Sequence, residues 1–360
     1  MYTKRNYSVT IMVKWTRRYI YHFILLSIIP VFLYDILNWK WLQLPWLPIG
    51  LVGTALAFII GFKNNASYGR AWEARKIYGG IVNTSRLLAT MVNDFITNEH
   101  ALEQRTDQEF FEIKKTIIHR HIAWMTCLRH ALRTKKPWET SFTNISDKEY
   151  MKHINIREYN ITLEEDLAEY VSPNEKEMIF SYTNKSNACL NLQSQQFKEL
   201  KLTGLIEDFR HIEFQHLVEK LFDLQGKAER IKNYPYPRQF ATLNLFFVWI
   251  FVILLPLGLM SEFDKIGQSI MEQGYSSFFI FDFIVRNFVW LTIPFSIVIS
   301  WIFFTMERVG DVSENPFEGI GNDVPITTMS RGIEIDIREM IGEDKKHIPN
   351  PIPESANAQM

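Results

Sequence analysis

Residues 44–86 read LPWLPIGLVGTALAFIIGFKNNASYGRAWEARKIYGGIVNTSR. The first 19 positions, 44–62, carry no charge, and a bilayer core takes ~20 such residues in helix. From Lys63 the character changes, with Arg70, Arg75 and Lys76 close behind. No proline or other strong breaker separates the halves, so one helix is predicted to run from membrane into water. Small residues (Gly50, Gly53, Ala55, Ala57, Gly61) alternate with a bulkier series at Thr54, Phe58 and Phe62, spaced by four. Such a helix has a face for close packing and a face of larger groups. Two readings of the larger face stay open at this level. The phenyl groups face lipid, or copies of the helix surround an axis and the phenyl groups form apolar rings that gate by dewetting.

Working outward, three more windows are nearly free of charge. Residues 19–37 form the first, with His22, Pro30 and Asp35 as interruptions. Residues 240–260 are charge-free, and a fourth window covers 282–306, where Asp282 and Arg286 stand four apart and can pair on one helical face. The reading is a four-span, all-α, multi-pass membrane protein. Basic residues concentrate at the N-terminus, after position 62 and before position 240, whereas 38–43 and 261–277 are poor in them. The positive-inside rule then places both termini and the long middle in the cytoplasm, in a cell inner membrane. A four-span chain with an uncharged second span has no ion path of its own, so a pore requires several copies, supplied by cyclic symmetry.

The middle, 63–239, is too polar for a bilayer and shows helical periodicity around 113–132 and 200–231. Ser146, Thr162 and Ser172 offer helix caps. Residues 307–342 belong with this cytosolic helical region and end in an amphipathic helix near 333–341, and 343–360 reads as a disordered tail.

Enzyme signatures are missing: the chain has no Gly-rich phosphate loop, no HExxH and no G-x-S-x-G. A membrane enzyme would have only Glu73, Arg70 and His22 to draw on. Near-zero net charge, 39 basic against 40 acidic residues, gives no pull toward nucleic acid. Cys127 and Cys189 suit buried packing, and no cofactor or metal is called for. His119 and His121 point to different faces of a helix. Asp311, Glu314, Asn315, Glu318, Asn322 and Asp323 are rich in oxygen but lack EF-hand spacing, which favours turn and capping use over a cation site.

The run GFKNNASYGRAWEARKIYGGIVNTSR resembles the signature of the bestrophin family in its compact bacterial form. AWMTCLRHALR at 123–133, the prolines Pro235 and Pro237, and VGDVSENPFEGIGNDVPI at 309–326 resemble it too; the likeness covers about residues 10–342, and 1–342 reads as one channel unit. Asn64, Ser67, Tyr68, Arg70, Trp72, Glu73, Arg75, Glu314, Asn315, Pro316 and Phe317 carry the motifs. The resemblance implies a homopentameric channel in the lipid bilayer that passes monovalent ions. Its neck would be lined by Thr54, Phe58 and Phe62, the last directly after Gly61. Thr54 replaces the family's usual aliphatic residue, and a second constriction is expected within 205–212. Animal members bind calcium through a run of consecutive acids that is missing at 313–316 here. Likeness to bacterial members favours cations, with a chloride channel of the same architecture as the alternative. A membrane-anchored binding or assembly protein is the alternative of another class.

Overall fold

The computed structural model describes residues 1–140, 144–273 and 279–360, with side chains except those of Tyr150 and residues 279–282. In chain order the helices are α1 Val9–Asp35, α2 Trp46–Phe95, α3 Asp107–Arg133, α4 Ile145–Met151, α5 Arg157–Asn160, α6 Leu163–Leu167, α7 Pro173–Ser181, α8 Lys185–Leu202, α9 Asp208–Asn233, α10 Arg238–Glu272, α11 Phe279–Arg286, α12 Thr292–Val312 and α13 Ile326–Met340. Among the described residues there is no strand, only isolated bridges near the termini. The chain divides into an apolar unit (5–69 and 236–314) and a polar unit (1–4, 70–235 and 315–360), and α2 contributes to both.

The 50-residue α2 bears out the continuity read from the sequence. Four stretches, Val9–Asp35, Lys40–Phe95, Arg238–Glu272 and Phe288–Val312, are long and apolar enough to cross a membrane. In the apolar unit α1, α10 and α12 pack on one another, and Phe23, Ile49, Leu56, Ile60, Phe251, Leu255 and Phe304 form the core with them. Two glycines set the approach of α2 to α10. A Cβ on Gly53 would lie 2.8 Å from Phe251 Cε2, and one on Gly258 would lie 2.6 Å from Ile49 Cδ1. Small residues thus let large apolar groups interlock, the usual basis of helix packing in lipid.

Several boundaries differ from the sequence reading. The third span continues past 260 to Glu272, where the sequence reading has a loop. Asp264 on that extension accepts a 2.6 Å hydrogen bond from Tyr34. The window 282–306 is interrupted: α11 stops at Arg286, Asn287 Nδ2 bonds back to the Phe283 carbonyl, and a 3-10 turn, Phe288–Leu291, precedes α12. Pro294 falls in the first turn of α12, where its missing N–H costs no helical bond. The side chain of Asp282, expected to pair with Arg286, lies outside the described residues. Asp35, an irregularity in the first window, accepts from Trp290 Nε1 at 2.8 Å.

In the polar unit, α3 lies against α8, α9 and α13 over a core that includes Trp124, Phe197, Phe214 and Phe317. Thr162 and Ser172 form capping boxes with Glu165 and Glu175, as their sequence suggests. The α4 start is capped by Asn144, not Ser146: its Oδ1 accepts from the Ser146 amide at 2.9 Å. The periodic run 200–231 is broken after Leu202, and Gly204 at φ +76° makes the turn into α9. The C-terminal stretch, expected to lack structure, is seated. Thr3 N donates to Asn357 O at 2.9 Å, and Ala358 and Met360 are buried.

Candidate functional site

Along the apolar part of α2 the burial pattern separates two faces. Ile49, Gly53, Leu56, Ile60, Lys63 and Ser67 are buried. Leu47, Leu51, Thr54, Phe58 and Phe62 form an exposed stripe, with Phe58 66% and Phe62 73% exposed. Exposure alone does not distinguish this stripe from a lipid-facing one, because Phe240 and Phe246 on α10 are also exposed. Gly50, Gly53 and Ala57 floor a groove of about 580 Å³ beside Thr54 and Phe58, walled by Phe251 and Phe303. The Thr54 hydroxyl donates to the Gly50 carbonyl at 3.0 Å, so its donor is engaged within the helix.

Where the uncharged run ends, the structure departs from expectation. Lys63, read as the first residue in water, is 1% exposed. Its ammonium donates to Glu307 Oε1 and lies 3.5 Å from Asp311 Oδ1. Arg308 donates to Asp311 as well, and Arg238 pairs with the buried Glu314. Asn64 sits so close to Gly310 that a Cβ there would strike its Oδ1. Sequence reasoning missed this group because Lys63 lies some 240 positions from Glu307 and Asp311. Glu307 and Asp311 at i and i+4, directly after an apolar span, were the available signal.

Of the other motif residues, Ser67 and Tyr68 belong to the apolar unit, and Arg70, Trp72, Glu73, Arg75, Asn315, Pro316 and Phe317 to the polar unit. Arg70 Nη2 donates to the Ile231 carbonyl at 3.0 Å, Glu73 pairs with Lys76 at 2.7 Å, and Arg75 Nη1 lies 2.6 Å from Met329 Sδ. Tyr68 and Trp72 are exposed. Phe317 is buried against Tyr78, and its carbonyl accepts from Arg133 at 3.0 Å, while the Pro316 carbonyl accepts from Val324 N. Asn315 is buried, and Ser67 Oγ has no hydrogen-bond partner among the described residues.

The acidic series at 311–323 does not converge on one ligand set. Asp311 pairs with Lys63 and Arg308, and Glu314 pairs with Arg238. Asp323 Oδ2 accepts the amides of Gly319 and Ile320, so turn-making accounts for it. Burial pushes the Asp323 carboxyl up to about 6. His121 is fully buried, 2.8 Å from Ser85 Oγ, and desolvation pushes it down to about 3. His119 instead meets Glu343 at 3.1 Å. Within 205–212, Leu205 and Ile206 are buried, whereas Phe209 is 84% exposed and Ile212 47%.

The profile of the family described as Bacterial/Fungal Bestrophin protein matches residues 8–282 and 277–339. A voltage-dependent anion channel-forming protein of Ralstonia nicotianae is 26% identical over 297 residues, covering 82% of this chain and 77% of that one. The voltage-dependent anion channel-forming protein YneE of Escherichia coli K12 is 23% identical over 305 residues, covering 85% and 79%. The crystal structure of a bacterial bestrophin homolog from Klebsiella pneumoniae shares the fold, with a TM-score of 0.70 at 21% identity, covering 90% of this chain and 97% of that one.

Proposed function

The chain belongs to the bacterial and fungal bestrophin family, and from that premise we propose that it forms a passive ion channel in the cytoplasmic membrane, built by copies of itself around one axis. The observation that carries this reading is the α2 stripe: bulky apolar groups every fourth residue, exposed in the single chain and flanked by a small-residue groove. In a closed ring, a neighbouring subunit fills the groove and the stripe turns toward the axis. Thr54, Phe58 and Phe62 then line the neck, and a neck of that polarity controls flow by wetting and dewetting. Engagement of the Thr54 hydroxyl by Gly50 O makes the Thr54 ring less hydrophilic than its residue type suggests. Five subunits with cytoplasmic termini are the arrangement that the family resemblance and the basic-residue pattern favour. Phe209, the most exposed apolar residue within 205–212, is the candidate for the second constriction.

Anions are the proposed permeant class. The lean toward cations rests on bacterial likeness alone. The curated relatives are named as anion channel-forming proteins, and that outweighs it. Selectivity then comes from charges flanking the neck, because apolar rings do not set the sign. The test is the reversal potential of purified protein in a planar bilayer under a potassium chloride gradient. Reversal near the chloride equilibrium potential is expected. Reversal near that of potassium would return the reading to a cation channel, and a folded oligomer silent in both directions would remove the channel reading.

A further inference from the structure

The polar unit contains a cavity of about 810 Å³ that the channel reading does not use. Its volume lies in the ordinary range for small-molecule sites. The C-terminal end of α3, the N-terminal end of α8 and the C-terminal end of α9 wall it. Five fixed cations line it, Arg133, Lys135, Lys136, Lys185 and Lys232, against the two carboxylates of Glu158 and Glu229. Both carboxylates have partners. Glu158 pairs with Arg129 and accepts from Thr327, and Glu229 accepts from Asn184 and Gln225 at 3.0 Å each. Lys232 is matched by Glu139. The other fixed charges of the lining, on Arg133, Lys135, Lys136 and Lys185, are all positive.

Two groups in that lining point to a ligand. Arg133 is 98% buried by its 2% exposure, yet only Nη1 is bonded, to the Phe317 carbonyl, with Asp323 Oδ2 at 3.8 Å. Among the described residues its Nε and Nη2 have no hydrogen-bond partner. Ser186 is fully buried, and its Oγ has none either. A guanidinium edge left unmet in a buried site is costly, and it matches an oxyanion in a bidentate fork. Ser186 lies in the first turn of the 18-residue α8, where the helix end also favours negative charge. A single small anion would leave most of 810 Å³ unfilled, so the fit is to a multivalent ligand.

We propose that this cavity binds a multivalent oxyanion, phosphate-bearing or polycarboxylate, on Arg133 and Ser186, with Lys136 and Lys185 supplying charge at the site. The proposal does not depend on which ion the channel passes. Full-length protein in detergent is titrated calorimetrically with inorganic pyrophosphate and, separately, with citrate, and its unfolding temperature is followed. Saturable binding near one anion per chain is expected, with a rise in unfolding temperature as binding to the folded state requires. Preference for pyrophosphate identifies a phosphate-bearing ligand, and preference for citrate a polycarboxylate. Lys136→Glu and Lys185→Glu are each expected to weaken binding at least about tenfold, since each reverses a charge near the bound anion. Arg133→Lys, which keeps the charge and loses the fork, is expected to weaken it further. The two lysine variants keep the test decisive if the arginine variant does not fold. No saturable binding of either anion to folded protein, or binding unchanged in both lysine variants, would overturn the assignment.

Discussion

Replacing Phe58 and Phe62 together by alanine separates a pore-lining stripe from a lipid-facing one. Phe58 and Phe62 are 66% and 73% exposed within the chain, so only about a third of each ring packs on it. A fully buried Phe→Ala change costs about 3–5 kcal/mol, and a third of that is roughly 1 kcal/mol per site. The double variant therefore folds. Thr54 and Phe62 are eight residues apart, which at ~1.5 Å per residue would make the proposed neck about 12 Å long. The two phenyl layers cover the inner half of that length. If the stripe lines the axis, removing them widens the neck and lets water enter, lowering the barrier to ion passage. A reduction of only ~1.4 kcal/mol raises the rate about tenfold. The assay is bilayer current at equal protein, with the oligomer verified by size. The control is Phe246→Ala on α10, a phenylalanine of comparable exposure (57%) on a different helix. The expected result is a rise of about tenfold or more in the double variant, by the same barrier arithmetic, and none in the control. Wild-type current from a folded double variant would refute the placement of the stripe on the axis.

Two further perturbations address the scaffold. Lys63→Met strands Glu307 in a buried site, and losing one partner of such a pair costs about 3–5 kcal/mol. Adding Glu307→Leu is expected to recover most of that loss in the unfolding temperature, and strictly additive effects would show that the two charges are not coupled. In the polar unit, His121 and Asp323 give opposite pH slopes. His121 drops from 6.5 to about 3 in the folded chain, so its contribution is full above pH 6.5 and is lost as pH falls toward 3. Asp323 rises from 3.8 to about 6, so its contribution is full below pH 3.8 and is lost as pH rises through 6. Each slope is about 1.4 kcal/mol per pH unit, and they oppose each other where the windows overlap. Denaturation at stepped pH across that overlap should show Asp323→Asn losing stability faster on acidification than wild type and His121→Asn losing it more slowly. Identical slopes in all three proteins would contradict the burial of both groups.

Local pattern alone makes α2 legible. Its uncharged run, its lack of a breaker and its spacing of small and large residues are properties of neighbouring positions, and so are the caps at Thr162 and Ser172. The four membrane-length stretches follow from composition over windows of about twenty residues. Contacts between distant positions do not register in such windows. Lys63 reads as the start of an aqueous segment because a lysine is a charge in any one-dimensional reading. Glu307 and Asp311, on another helix, turn it into a buried ion pair. The acidic series at 311–323 reads as one group because its members are close in sequence, but successive helical and turn positions send them to different partners. The break at Gly204, the seat of the C-terminal stretch and the cavity around Arg133 likewise depend on which segments meet. The sequence by itself determined the all-helical character and the existence of four membrane-length spans, though not all of their bounds, because hydrophobic periodicity and chain length act locally. Only the tertiary structure decided which charges are buried and which face of α2 is left uncovered, because those depend on partners that the chain brings together from hundreds of residues away.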